Sequence, residues 1–224
     1  MKKIKLPLAV VVVILVALFF HASYVMYKSS IVTIGEKITD YGKENPALVV
    51  IDLQNDITQK DGRISLNIKQ SERAIENVNK IISSGKMETV YIMQQFKGVN
   101  PFMKMVTNGS LREGSEGFLT DSRIQIKGNN VFVKYIADSF SNKDFEDFLI
   151  KNRINHLYIA GADAEYCVDK TVRGALNRDY RVTVIKDAVV TKTEERRKKK
   201  IDDFSSLGAG ILETDELLKS LDSE

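Results

Sequence analysis

One cysteine (Cys167), two histidines (His21 and His156), three prolines and no tryptophan are all that this chain has of those residues. A single thiol excludes an intrachain disulfide. Two histidines exclude a histidine-rich metal site. An excess of one charge is also lacking: 33 basic residues stand against 30 acidic ones, a formal net charge of +3. Nucleic-acid binding calls for basic residues gathered on one face, so no nucleic-acid partner is expected. The one basic run, residues 192–200, is interleaved with Glu194 and Glu195 and followed by Ile201, Phe204 and Leu207 at helical spacing. It reads as the solvated face of a helix with a core stripe behind it. No internal repeat or low-complexity tract is present.

What the chain does have is an apolar N-terminus. MKKIK precedes an uncharged stretch over residues 6–27. About 20 apolar residues make a helix that spans a bilayer. The strictly apolar part is shorter and also fits the core of a signal peptide. Lys2, Lys3 and Lys5 on one side, against Lys28 on the other, put the N-terminus in the cytoplasm. The expectation is a single-pass signal anchor over residues 1–28 in a bacterial-type cytoplasmic membrane, with the body outside the cytoplasm. Secretion after signal cleavage is the alternative. A chain poor in cysteine is compatible with export. Residues 29–45 are polar and read as a linker, and residues 46–224 as one domain with a full core.

Within that domain strand and helix patterns alternate. Residues 47–51 (ALVVI) form a continuous apolar run, as strands covered on both faces do. Strands are also expected over 89–93, 131–134, 156–160, 181–185 and 210–212. Helices are expected over 69–84, 142–152, 165–178 and 193–206, each from apolar residues at helical spacing. Residues 97–127 form a long glycine-bearing connection, and loops of that length commonly carry lids or binding segments. The alternation predicts an α/β fold, a three-layer αβα sandwich around a mostly parallel sheet. In such sheets ligands bind beyond the carboxyl ends of the strands, at the topological switch point.

The residues at those ends are Asp52 after the first strand, Lys134 ending the third, and a turn from Gly161 to Cys167 after the fourth. Taken alone, a single cysteine is as a rule a small buried hydrophobe. An acid, a base and a thiol at three strand ends can also converge as a cysteine hydrolase site. Asp52 would take the thiol proton, Lys134 would hold the carboxylate and favour the thiolate, and Cys167 would attack. The first turn of the helix at Cys167 adds N–H groups for an oxyanion. Gln54 and Asp56, just past the first strand, either contact ligand or cap the turn. Phe102, Phe140 and Tyr166 flank the long loop, the lysine segment and the cysteine, and are candidates to line a pocket. His156 begins a strand and has no catalytic role in this reading.

Three segments carry a resemblance. ALVVIDLQND (residues 47–56), VKYIADSF (133–140) and LYIAGADAEYCVDKTVRGALNRDYRVTVIKDAV (157–189) resemble, in order and spacing, the isochorismatase-like cysteine hydrolases. The resemblance implies a six-strand parallel sheet and a catalytic triad of Asp52, Lys134 and Cys167. It implies a cis peptide at Ala162–Asp163 and an oxyanion hole made by the N–H groups of Asp163 and Cys167. The implied activity is hydrolysis of a C–N amide bond of a small molecule, an ester or vinyl ether fitting less well, and a homo-oligomer is compatible with it. Two features depart from the family pattern. Asp163 and Ala164 stand where a small residue and a threonine are common. No histidine occurs from Gln94 to Asn130, where the nicotinamidase branch carries an Asp/His metal cluster, so neither metal nor cofactor is expected. The carboxylate of Asp163 leaves open a second reading, a catalytically silent ligand-binding member of the fold. A redox-sensing thiol fits poorly, because Cys167 has no resolving partner.

Overall fold

A computed structural model describes residues 7–96, 105 and 107–223. Six strands form one sheet: β1 (Pro46–Ile51), β2 (Glu88–Gln94), β3 (Val131–Lys134), β4 (His156–Ala162), β5 (Arg181–Val190) and β6 (Gly210–Leu212). Every pairing is parallel, and the order is β3-β2-β1-β4-β5-β6. Parallel neighbours require crossovers, and helices supply them on both faces. The helices are α1 (Leu8–Ser29), α2 (Asn55–Thr58), α3 (Ile68–Ser84), α4 (Lys143–Lys151), α5 (Cys167–Leu176), α6 (Glu194–Ser206) and α7 (Thr214–Asp222).

Residues 47–51 of β1 are all buried because both faces are covered. Ala47, Val49 and Ile51 meet Phe145, Leu149, Val168, Val172 and Phe204 from α4, α5 and α6 on one side. Leu48 and Val50 meet Ala74, Ile75, Val78, Ile81 and Leu217 from α3 and α7 on the other. This alternation is the three-layer sandwich.

The predicted elements appear within a residue or two, with three differences. β4 and β5 run further than their apolar cores. After an irregularity between Ile159 and Gly161, Gly161 pairs with Val189 and Ala162 with Val190. Gly161 has φ of 122°, and a Cβ there would stand 2.0 Å from the Ile51 carbonyl oxygen. Only glycine fits where β4 passes this close to β1. The single-turn α2 was not expected, and neither was α7. Leu217 and Leu221 are its buried stripe, and Glu213 and Glu216 form a capping box at its start.

The third difference concerns residues 29–45. They are not a loose connection but a strap bonded along the domain. The Ser29 carbonyl accepts from the Ala137 N–H (2.8 Å). The Thr33 N–H and Oγ1 both donate to Asp138 Oδ2 (2.7 and 2.6 Å). The Thr33 carbonyl accepts from Arg178 Nη1, and Asn45 N–H donates to Asn155 Oδ1. Asp138 and Arg178 are almost fully buried; the strap supplies two donors to the Asp138 carboxylate, which would otherwise be costly to bury, and one further acceptor to Arg178, whose charge is paired with Glu146.

α1 is 22 residues long, and among the described residues it is the one helix long and apolar enough to cross a membrane.

Candidate active site

The strand order reverses at β1, with β2 on one side and β4 on the other. The carboxyl ends of β1 and β4 are therefore the switch point at which α/β folds open a crevice. Asp52 follows β1 there. Its φ of 52° is left-handed, a conformation that aspartate tolerates better than most residues. The turn is locked by its N–H on the Ile92 carbonyl (2.9 Å) and by its carbonyl, which accepts from Gln54 N–H (2.8 Å). Cys167 opens α5 just after β4.

Lys134 ends β3, two strands away from β1. At about 4.8 Å per strand the gap is roughly 10 Å, which only a long side chain crosses. Lys134 pairs with Gln94 in register, and its side chain lies over the end of β2. Nζ donates to Gln94 Oε1 (2.6 Å), Asp52 Oδ2 (2.8 Å) and Cys167 Sγ (3.1 Å). All three ammonium protons have a partner, and the lysine is fully buried. The three residues expected at strand ends thus meet at one nitrogen.

Gln94 was not singled out from the sequence. The signal was there: like Asp52 and Lys134, it stands at the carboxyl end of a sheet strand. Its backbone is held by Gln54, whose Oε1 accepts from Gln94 N–H (2.8 Å) and whose Nε2 donates to the carbonyls of Gln94 and Phe118. The sequence leaves Gln54 either in contact with ligand or capping the turn. Its amide is instead engaged with main chain, and it positions the end of β2. Asp56 likewise caps, accepting from the N–H groups of Leu111 (2.8 Å) and Arg63 (3.2 Å).

Burial sets the electrostatics. It pushes the Asp52 carboxyl above its ordinary value, against the opposing pull of the Lys134 charge and hydrogen bond. Asp52 Oδ1 is buried and has no hydrogen-bond partner, which leaves one carboxylate oxygen to receive a proton. Cys167 is partly exposed, but desolvation of its sulfur raises the thiol more than the Lys134 charge lowers it, and the Asp52 charge adds to the rise. For Lys134 burial acts downward, but the charges of Asp52 and Cys167 outweigh it and hold the ammonium above its usual value. The site therefore holds Lys134 as an ammonium and Cys167 as a thiol, with Asp52 a stronger proton acceptor than an exposed carboxylate.

The Ala162–Asp163 peptide is cis, as expected. In the turn that follows, Ala164 N–H donates to the Val190 carbonyl, and Tyr166 and Val168 N–H donate to the Asp163 carbonyl. Glu165 N–H goes to Asp163 Oδ1 (3.0 Å). That leaves the N–H groups of Asp163 and Cys167 without a partner among the described residues. The Asp163 carboxylate is turned onto the Glu165 N–H, and burial raises its pKa.

Tyr166 is exposed beside Cys167. Phe140 is not pocket lining: it is buried against Phe145 and Tyr180 at ring distances of 5.1 and 5.6 Å, with the Arg178 guanidinium over its face. Its apolar bulk was drawn into the core where the sequence alone offered a pocket. Phe102 lies outside the described residues. His156 begins β4 at the far end of the sheet, bonded to Glu44 and Thr183. Among the described residues, no three His, Cys, Asp or Glu side chains gather as a metal site would require.

The family model for the isochorismatase domain matches residues 46–216. The chain belongs to the isochorismatase family. Solved structures of similar fold include an isochorismatase-like hydrolase from Alkaliphilus metalliredigens, at 20% identity over 79% of this chain and 98% of that one, with a TM-score of 0.72. A nicotinamidase/pyrazinamidase from Bacillus subtilis is similar at 22% identity over 75% of this chain and 100% of that one, with a TM-score of 0.67. An N-carbamoylsarcosine amidase from Thermoplasma acidophilum is similar at 24% identity over 77% and 98%, with a TM-score of 0.64. At these identities the likeness shows the fold alone. No curated protein matches the sequence. For this isochorismatase-family chain the family model ends at residue 216, inside α7.

Proposed function

We propose that this chain is a membrane-anchored cysteine hydrolase that cleaves a C–N amide bond of a small molecule, with Asp52, Lys134 and Cys167 as its triad. The observation that carries the reading is the single buried Lys134 nitrogen bonded to Asp52, Gln94 and Cys167 at the switch point. The nicotinamidase and amidase among its structural neighbours act on amides by name, which favours an amide over an ester or a vinyl ether.

The steps follow from the charges. Asp52 takes the Cys167 proton on its unpartnered oxygen as Sγ attacks the substrate carbonyl carbon. A carboxylate whose pKa is lifted above its ordinary value by burial suits this work. Lys134 neutralises the thiolate as it forms. The oxygen of the tetrahedral intermediate is held by the free N–H groups of Asp163 and Cys167 at the start of α5. Protonated Asp52 passes its proton to the leaving nitrogen, and the C–N bond breaks to give a thioester. Asp52 then draws a proton from water, which attacks the thioester and releases the acid and the thiol. Tyr166 flanks the entrance, and Phe102 is a further contact proposed from sequence. α1 anchors the body outside the cytoplasmic membrane in this proposal.

The test is a screen of small primary and secondary amides with the full-length protein in detergent. Cys167→Ala should reduce hydrolysis of any hit to background, and Asp52→Asn should cost at least about 10²-fold in kcat. An amide hydrolysed equally well by Cys167→Ala would sink the proposal. Saturable ligand binding without turnover would instead identify a silent binding member of the family.

A further inference from the structure

We infer that the mouth of the active site faces the lipid headgroups and that the substrate is an amphiphilic amide taken from the membrane surface. The inference deepens the hydrolase reading and rests on it for the identity of the site.

The path of the strap carries the argument. α1 has to reach β1, which starts at Pro46 at the amino end of the sheet, and a plain tether would leave the domain there. Instead the last residue of α1, Ser29, is bonded at the opposite end. Its carbonyl accepts from Ala137 N–H, three residues beyond Lys134. Three residues span at most about 11 Å, so the end of the helix is fixed close to the catalytic lysine. Thr33 then pins the chain to Asp138, and residues 34–45 return along the domain to Asn45, held at Asn155. The strap thus holds α1 at the catalytic end of the sheet.

Helix length sets the depth. The 22 residues of α1 rise about 33 Å, close to the roughly 30 Å of a hydrocarbon core. None of its apolar window is buried against the body. With α1 across a bilayer, Ser29 lies at headgroup level and the triad lies just above it.

The surfaces at the two ends of the domain match this placement. At the catalytic end Tyr135 is 46% exposed one residue beyond Lys134, and Tyr166 is 54% exposed one residue before Cys167. Tyrosine is the side chain enriched at headgroup depth, with an apolar ring and a polar tip. Charges line a cleft of about 450 Å³ at the opposite end, among them Asp40, Lys43, Glu44, Asp179 and Arg181, and another of about 330 Å³ beside α2, with Asp56, Asp61, Arg63 and Glu116. Both clefts suit water, and neither includes the two tyrosines.

The test uses full-length protein with Cys167→Ala as background, in phosphatidylcholine–phosphatidylglycerol vesicles. A nitroxide is attached to Tyr166→Cys or Tyr135→Cys, with Asp40→Cys at the far end as reference. Collision rates with oxygen and with a water-soluble nickel chelate report depth. We expect the two mouth labels to favour oxygen and the Asp40 label to favour nickel; equal aqueous exposure at all three positions overturns the inference. For the substrate class, native Cys167 is alkylated with iodoacetamide and with N-dodecyl iodoacetamide. A dodecyl chain concentrates at the bilayer, and the longer reagent should gain at least about ten-fold at Cys167 relative to Asp40→Cys. An equal ratio at both positions refutes supply from the membrane. Neither readout needs turnover, so labels at headgroup depth in a protein without amidase activity would refute the hydrolase reading alone.

Discussion

Replacing Lys134 by methionine keeps the length and bulk of the side chain and removes the charge. The consequence follows from what is left behind. Asp52 Oδ2 loses the ammonium at 2.8 Å, Oδ1 has no hydrogen bond to compensate, and the group is fully buried. Removing one partner of a buried ion pair costs about 3–5 kcal/mol while the other stays charged. Asp52 escapes that cost by taking up a proton, so the loss depends on pH. Its folded pKa is already above the ordinary carboxyl value through burial, and without Lys134 it rises further. A raised carboxyl binds its proton more tightly in the folded than in the unfolded state. Its contribution to stability is therefore present below the unfolded pKa of about 3.9 and is lost as pH rises through the folded pKa. For Lys134→Met that window widens upward. The variant should lose little stability at pH 4.5 and about 3–5 kcal/mol at pH 8.5 relative to the parent chain. Urea unfolding of the full-length protein in mild detergent, followed by circular dichroism at both pH values, measures it. Adding Asp52→Asn to Lys134→Met should restore stability at pH 8.5 and flatten the pH dependence. A loss of equal size at both pH values, or one that Asp52→Asn leaves in place, would refute this account of the pair.

The raised thiol gives a kinetic expectation: iodoacetamide should alkylate Cys167 slowly at pH 7, at a rate still rising above the ordinary thiol value of about 8.5, and Asp52→Asn should speed it by removing a charge that opposes the thiolate. A plateau at or below pH 8.5 would contradict the resting state described above. Gly161→Ala should lower stability by about 3 kcal/mol or more, because φ of 122° and the Ile51 carbonyl both exclude a Cβ; a melting temperature within a few degrees of the parent would count against that packing. Thr33→Val removes the hydroxyl donor to the buried Asp138 carboxylate and should cost about 1.5–3 kcal/mol, with Thr33→Ser close to the parent; no change in melting temperature would mean that the strap contributes little.

The sequence alone determined the layered α/β fold, because continuous apolar runs and helical stripes are local patterns that only a covered parallel sheet satisfies together. It also marked Asp52, Lys134 and Cys167, since strand ends can be read from where apolar runs stop. It could not decide which polar side chains at those ends face the crevice. Gln54 and Gln94 are both glutamines at strand ends, yet one is engaged with main chain and the other accepts from Lys134, a difference set by the register of β2 against β1 and β3. Phe140 looked like pocket lining because hydrophobicity carries no direction, and packing against Phe145 and Tyr180 turned it inward. The strap shows the same limit. Residues 29–45 are polar and lack a period, so nothing local distinguishes a free linker from a bonded one. Only the folded body, with the Asp138 carboxylate buried and needing donors, decided that Thr33 is held there and that the end of α1 is bonded at Ala137, three residues from Lys134.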